Sequence, residues 1–459
     1  MKLLPIILAA GKGTRMVSEC PKVLHAIGGQ AMLQHVINCC SELLDGENDS
    51  SNIIVVYGHG GEQVRAVIDN ESIDWVLQAE QKGTGHAVDQ ARELIADDHL
   101  VIIAYGDAPL IKTETLQSLF DGLANADLTV LTTVLDNPTG YGRIVRNKQG
   151  SIEKITEEKD ATAKIKKITE VNTGVIAAHG KNLKHWLSQL SPDNAQGEYY
   201  LTDCIGLAVA EGKKVVAVLC EDAMEVQGVN DRIQQAKLER EYQKRQAEKL
   251  MLAGVSLADP ARIDIRGELQ VGKDVFIDVN NVFIGNTTLG NNVIIESGCV
   301  ITASHIEDNA RIKANSVLEN AYVGKNCEAG PFARLRPDAV LKENAKVGNF
   351  VEIKKSTIGQ GSKVSHLSYI GDTQMGSNVN IGAGTITCNY DGVNKFQTII
   401  GDDAFIGSDS QLVAPVTIEE GATIGAGSTI TKDTPAKELT LSRAKQMTIT
   451  GWKRPIKQK

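Results

Sequence analysis

Two hydrophobic rhythms divide the chain. Up to about residue 229, short apolar runs alternate with segments of helical spacing. PIILAA (5–10), NIIVVYG (52–58) and HLVIIAYGD (99–107) read as strands, and MLQHVINCCSELL (32–44) reads as a helix. Apolar strands separated by helix-length segments predict a parallel sheet covered by helices on both faces. Ligands of such sheets sit at the carboxyl ends of the strands. From 230 to 253 no glycine or proline interrupts the chain, and charged residues alternate with Ile233, Leu238, Leu250 and Leu252. That pattern predicts one long, mostly solvated connector helix, stopped by Gly254.

Beyond it the period becomes six. Ile265, Val271, Ile277, Phe283, Leu289, Ile295 and Ile301 stand six apart without a miss. After slips of five the rhythm returns as Ile306, Ile312 and Leu318, and again as Ile400, Ile406, Leu412, Ile418, Ile424 and Ile430. A hexapeptide period means three short strands per turn of a β-helix, with the apolar residue pointing inward. Roughly nine or ten coils follow, in a prism about 45 Å long at the spacing of hydrogen-bonded strands. The predicted domains are therefore 1–229, a helical linker 230–253, and 254–459. One polar stretch, ITCNYDGVNKFQT (386–398), breaks the rhythm as an insertion. Insertions in solenoids are where function tends to be grafted.

Composition adjusts this picture in a few places. Aromatics are only 4% of the chain while glycine reaches 43 residues, which suits a repeat of small-residue turns. A net charge of −9 gives no footprint for a nucleic-acid partner. The eight cysteines form no CxxC pair, which argues against structural zinc and for reduced thiols in a cytoplasmic protein. Cys388, inside the insertion, is expected to be more exposed than Cys299 or Cys327 and to control sensitivity to thiol reagents. No apolar run approaches the ~18 residues of a membrane span, and Pro5 with Gly-Lys-Gly does not read as a signal peptide.

The string LAAGKGTRM (8–16) reads as a phosphate-binding turn. It lacks Walker spacing, and Met16 stands where a dinucleotide fingerprint needs its third glycine. Pro21-Lys22 follows four residues after Met16. Backbone N–H groups of such a turn can hold a triphosphate, and Arg15 and Lys22 can neutralise the departing pyrophosphate. The plain alternative is a glycine-rich strand–helix turn with surface cations. Asp107 ends a strand at the crevice edge, as a magnesium ligand or as a turn residue before Pro109. LQAEQKGTGHA (77–87) offers an amide and glycines to a base edge. YGRI (141–144), TEEKD (156–160), VNTG (171–174) and GVND (228–231) follow in order, and Asn230 is also a candidate N-cap of the connector helix.

These strings, with DNPTGYGRI and NAQGEYYLTD, resemble the bacterial bifunctional N-acetylglucosamine-1-phosphate uridyltransferase/glucosamine-1-phosphate acetyltransferase family along the whole chain. The resemblance implies an α/β nucleotidyltransferase domain, Rossmann-like with a mostly parallel sheet, joined by a long helix to a left-handed parallel β-helix. It implies that UTP contacts Leu8, Ala9, Gly11, Lys22 and Gln78, with Gln78 reading uracil and Gly83 and Thr84 flanking the base. Tyr105, Gly106, Gly142, Glu157 and Asn172 would hold the N-acetylglucosamine-1-phosphate, and Asp107 and Asn230 would bind Mg²⁺. Where the family has VEHKD this chain has TEEKD, and Glu157 is the glutamate kept in register.

Acetyl transfer to an amine needs a base, donors for the thioester oxygen, and cations for the substrate phosphate. His366 is the one histidine of the polar segments in the second half, where position alone would make it a rung-edge residue. Arg336 and Lys354 suit a phosphate. The resemblance makes His366 the base, and assigns Arg336, Lys354, Tyr369 and Asn380 to the amino-sugar phosphate. It places Ala383, Asn389, Tyr390, Ser408, Ala426 and Arg443 along acetyl-CoA. Glu352 is expected to orient the histidine, and the basic tail GWKRPIKQK to be solvated or to approach the CoA phosphates. The implied protein is a cytoplasmic homotrimer. It would acetylate glucosamine-1-phosphate and couple the product to UTP, giving UDP-N-acetylglucosamine for peptidoglycan and lipopolysaccharide. Its rivals are a pyrophosphorylase with a regulatory β-helix and a non-catalytic assembly factor on the same folds.

Overall fold

The computed structural model describes residues 2–46, 52–58, 60–68 and 70–457, so the last two residues of the GWKRPIKQK tail lie outside them. The chain forms two compact units, Met1–Tyr242 and Gln243–Lys459.

The first unit is built on a nine-stranded sheet. Seven strands run in the order 215–219, 128–134, 170–179, 99–105, 2–9, 53–57, 73–77. Strand Lys2–Ala9 is parallel to both neighbours. Its side chains alternate between two cores, with Leu3 and Ile7 in one and Leu4, Ile6 and Leu8 in the other. Burial on both faces explains why it reads as an unbroken apolar run. Strand Glu170–His179 departs from the expected parallel order and runs antiparallel to 99–105 and 128–134. The chain reaches it from a hairpin, Arg143–Arg146 with Ile152–Thr156, which carries the YGRI string. Leu8 pairs with Tyr105 and Val56, and Tyr57 with Leu77, so the loops after these strands open at one edge. Strand order reverses between 2–9 and 99–105, which places the ligand crevice of an open α/β sheet there.

The second unit stacks short parallel strands in three sheets of 11, 10 and 9 strands, a left-handed β-helix of hexapeptide repeats. Each coil gives one strand to each sheet, as in Phe276–Ile277, Asn281–Ile284 and Thr287–Leu289. The inward positions are buried from Ile277 to Ile430. The period also continues where the apolar pattern fades, through Val323, Ala329, Leu335 and Val347 to Ile370, Met375 and Ile381. Thr387 occupies the next inward position. Its hydroxyl accepts from Gly371 N at 2.7 Å and donates to Gly371 O at 3.1 Å, so the polar atom is satisfied within the core. Many corners use a left-handed residue, and asparagine or aspartate predominates there, as at Asn292, Asn309, Asn326 and Asp403.

Helix Arg232–Leu252 confirms the long uninterrupted element, but it is not solvated all round. Ile233 and Leu252 are exposed, whereas Leu238 and Leu250 are buried. Within the second unit, Gln243, Ala247 and Leu250 close the open end of the prism. Gln243 Oε1 accepts from Ile265 N at 2.7 Å and its Nε2 donates to Ile265 O at 2.8 Å. A side-chain amide thus supplies the pairing that a preceding strand would have given an otherwise unpaired sheet edge.

Two candidate active sites

A cavity of about 360 Å³ opens at the strand-order reversal of the first unit. Ten of the residues singled out in the sequence line it: Leu8, Ala9, Gly11, Lys22, Gln78, Gly83, Thr84, Tyr105, Asp107 and Asn230. A larger cavity, about 650 Å³, lies against Leu100, Leu123 and Asp127 toward the opposite strand ends and holds none of them. Gly106, Gly142, Glu157 and Asn172 lie outside the lining, and Arg15 stands exposed on the turn Thr14–Met16. Gly13 has φ +60°, and a Cβ there would come within 2.6 Å of Lys22 Cβ, so glycine lets the turn pack on Lys22.

Three polar side chains converge in this cavity. Lys22 Nζ forms a close ion pair with Asp107 and lies 3.5 Å from Asn230 Oδ1. The backbone holds the two oxygen donors together, because Val229 N donates to Asp107 O at 2.9 Å. Asn230 is not the helix cap. Asp231 Oδ1 accepts from Gln234 N at 2.8 Å, which leaves the Asn230 side chain to face Lys22. A carboxylate and an amide oxygen on one ammonium are hard donors aimed at a cation, and they fit Mg²⁺. Among the described residues no three His, Cys, Asp or Glu gather at one point, so phosphate oxygens and water would have to complete such an ion's shell.

Behind Asp107 lie the residues that the sequence reading expects to hold the sugar. Burial, and then the Glu157 and Asp107 carboxylates, push the Tyr105 phenol well above its ordinary range. Burial also raises Glu157, whose Oε1 accepts from Thr202 Oγ1 at 3.1 Å. The two glutamates of TEEKD have separate surroundings. Glu158 is tied to the buried Arg143 at 2.7 Å, while Glu157 faces Gly142, where a Cβ would approach its carboxylate at 3.2 Å. Asn172 N donates to Gly142 O at 2.9 Å, and Asn172 Oδ1 accepts from Gly174 N at 3.0 Å.

In the second unit the candidates flank one corner of the prism. His366, Ala383, Ser408 and Ala426 hold equivalent corner positions on four successive coils. Their neighbours link them: Gly384 N donates to His366 O at 3.4 Å, Asp409 N to Ala383 O at 2.7 Å, and Gly427 N to Ser408 O at 2.8 Å. Arg443 then donates to Ala426 O at 3.0 Å. His366 Nδ1 lies 2.8 Å from Asn349 Oδ1, one coil below. Within one chain Glu352 therefore does not reach His366. It pairs with Arg336 at 2.9 Å, because Glu352 lies in the sheet beside Arg334, across the corner.

Arg336, Lys354 and Tyr369 share that neighbouring face, whereas Asn380 lies on the His366 side, paired with Lys363 and Phe405. The insertion adds Lys395, which sequence reading missed. Contact with Lys395, then burial, lowers the Lys354 ammonium, and Arg336 adds to the effect. Cations crowded together at one spot form an anion site. The insertion folds back through a bridge between Tyr390 and Lys395, with Phe396 N donating to Asn389 O at 2.9 Å. Asn389 is held closely by Asp372, and Tyr390 is exposed. Cys388 is more exposed than Cys299 and Cys327, but it is half-buried and burial raises its thiol, whereas Cys20 is exposed.

Comparison with known proteins matches residues 5–171 to the MobA-like NTP transferase domain. Residues 269–303 and 397–432 match the bacterial transferase hexapeptide (six repeats). The "Bifunctional protein GlmU" of Marinobacter nauticus (strain ATCC 700491 / DSM 11845 / VT8) is 56% identical over 452 residues, 98% of each chain. The chain belongs to the bifunctional GlmU family. This GlmU-family chain is a bifunctional enzyme, a nucleotidyltransferase joined to a hexapeptide-repeat acyltransferase. A crystal structure of UDP-glucose pyrophosphorylase complexed with UDP-glucose aligns with 53% of this chain and 100% of that chain, at 17% identity and TM-score 0.43. No helix among the described residues is long and apolar enough to cross a membrane.

Proposed function

We propose that residues 254–459 transfer the acetyl group of acetyl-CoA to glucosamine-1-phosphate and that residues 1–229 couple the product to UTP, with 230–253 as connector. The products are pyrophosphate and UDP-N-acetylglucosamine, the precursor for peptidoglycan and lipopolysaccharide. One observation carries the reading: each unit holds its own site with the charges its half-reaction requires. Lys22, Asp107 and Asn230 meet in one unit, and Arg336, Lys354 and Lys395 lie across a corner from His366 in the other.

Uridyl transfer needs no general base. The sugar-phosphate oxygen is already ionised, since its second pKa is about 6. The backbone at Leu8, Ala9 and Gly11 would seat the triphosphate, and Lys22, with Arg15 swinging in from its exposed turn, would neutralise the leaving pyrophosphate. Asp107 and Asn230 would hold Mg²⁺, which supplies charge neutralisation between the phosphates when bound. Lys22 gives up its carboxylate partner in that state and becomes available to phosphate. Tyr105, Gly106, Gly142, Glu157 and Asn172 would seat the acetylated sugar.

For acetyl transfer, Asn349 holds the Nδ1 proton of His366 and leaves Nε2 to take a proton from the amine. Arg336, Lys354, Lys395, Tyr369 and Asn380 would bind the amino-sugar phosphate. Ala383, Asn389, Tyr390, Ser408, Ala426 and Arg443 would line acetyl-CoA.

A cytoplasmic homotrimer is part of the same proposal, and the corner supports an interface between copies. Phe332, Phe350 and Leu367 stack there, are 49%, 57% and 60% exposed, and have φ of 54°, 55° and 50°. Bulky residues in that conformation cost about 1–2 kcal/mol each, so an exposed strip of them fits burial against a second copy. Such packing would also bring His366 of one copy toward the cationic face of the next. The test is acetyl-CoA-dependent thiol release with glucosamine-1-phosphate, with and without UTP. Asp107→Asn should abolish uridyl transfer alone, and His366→Ala should lower acetyl transfer alone by roughly 10²–10⁴. Equal loss of both activities in either folded variant refutes the two-site reading.

A further inference from the structure

The amide of Gln78 is fully committed on one side. Gln78 is 2% exposed, and its Nε2 donates to Gly83 O at 3.1 Å and to His86 Nδ1 at 3.0 Å. A carbonyl can only accept, so the nitrogen end must face Gly83. Both Nε2 hydrogens are then used, and Oε1 is left as the amide's free group in the cavity. Gly83 is itself pinned. Its φ is +109°, and a Cβ there would come within 2.5 Å of Tyr199 O. The imidazole of His86 packs beside the Tyr199 ring, with centroids 6.4 Å apart. For Nδ1 to accept, the His86 proton must reside on Nε2. There, on the exposed side, Gln90 Nε2 lies 3.3 Å away but donates to His86 O at 3.3 Å, so solvent rather than Gln90 is left to accept the Nε2 proton.

We propose that His86 is a positioning residue that locks the Gln78 amide as an acceptor and thereby makes the first unit choose uracil over cytosine. The proposal rests on the reading of Gln78 as the base contact. Uracil carries a hydrogen on N3 and can donate it to Gln78 Oε1. Cytosine N3 is a bare acceptor and would face that oxygen lone pair to lone pair. A flipped Gln78 amide would offer cytosine a donor, but it would place its oxygen against Gly83 O and break both present bonds. With His86 removed, only the bond to Gly83 opposes the flip. A site built to pair one hydrogen-bonding pattern rejects the other because its own groups are left unpaired.

The test measures kcat/KM of uridyl transfer with UTP and with CTP. His86→Phe keeps a ring against Tyr199 but has no acceptor, and should lower the UTP:CTP ratio roughly tenfold, about the worth of one hydrogen bond. His86→Asn places Oδ1 near the position of Nδ1 and should restore most of the ratio. A merely structural role would lower both nucleotides together and leave the ratio unchanged. An unchanged ratio in His86→Phe, beside a collapsed ratio in Gln78→Ala, overturns the proposal and leaves Gln78 as the reader. An unchanged ratio in Gln78→Ala overturns the underlying assignment of Gln78 and the proposal with it.

Discussion

Replacing Asn349 by alanine should slow acetyl transfer by a modest factor that depends on His366. In the folded chain the Asn349 carbonyl accepts the proton of His366 Nδ1 at 2.8 Å, on an exposed rung edge. Such a bond contributes about 0.5–1.5 kcal/mol net, which converts to roughly 2–12-fold in the population of the reactive tautomer. Asn349→Ala should therefore lower kcat for thiol release from acetyl-CoA by about that factor and leave uridyl transfer untouched. The decisive arm is a double-mutant cycle. In the His366→Ala background, where roughly 10²–10⁴ is already lost, removing Asn349 should cost nothing more. If Asn349→Ala costs the same factor with and without His366, the two do not act as a unit, and the orientation of the imidazole has another cause.

Lys395→Gln should remove the neighbour that lowers the Lys354 ammonium. The charged form of Lys354 is lost as pH rises through a value below the ordinary lysine range, so the alkaline limb of kcat/KM for glucosamine-1-phosphate should move to higher pH in the variant. An unmoved limb would mean that Lys354 does not govern phosphate binding. If the proposed trimer forms through this corner, Phe350→Asp should convert it to smaller species in sedimentation and depress acetyl transfer while sparing uridyl transfer. A variant that stays trimeric removes the exposed strip as the interface. Cys20, the exposed thiol, should be alkylated before Cys388, and peptide mapping gives the order.

The first half of the chain was legible because its chemistry sits in short local strings. GKGTRM, YGD and GVN each end or follow a strand, and the sheet then brings Lys22, Asp107 and Asn230 together. Side-chain partners were less legible. Asp231 rather than Asn230 caps the helix, and nothing in two adjacent polar residues distinguishes them before the chain is folded. In the second half the inward period was clear where Ile and Leu fill it, and faded where Ala329, Met375 and Thr387 do. Those positions are as buried, but Ala329 is small, Thr387 polar and Met375 unbranched. Residue chemistry favours Glu352 as the partner of His366, whereas within the chain coil register selects Asn349, 17 residues before it. That spacing was available as a signal. From His366 the steps to 383, 408, 426 and 443 are 17, 25, 18 and 17, where 25 is one coil of 18 plus the 7 residues added by the insertion. Lys395 had no such signal, because its place depends on how the insertion folds back.

The corner column also separates two kinds of mutational tolerance. Every residue of a coil belongs to a wall, whose inward phase must return each turn, or to a corner, where the chain turns from one sheet to the next. The insertion between Thr387 and Ile400 enters at such a place, and the ladder resumes beyond it with Gln374 beside Ile399 and Met375 beside Ile400. Length can therefore be gained or lost at a corner without disturbing the phase, while a single residue added within a wall would displace every inward side chain up to the next corner. The acetyl-CoA contacts proposed here lie at corners or in the loop that leaves one. Substrate choice in such a fold can drift by small changes of loop and corner while the prism that supports it stays as it is.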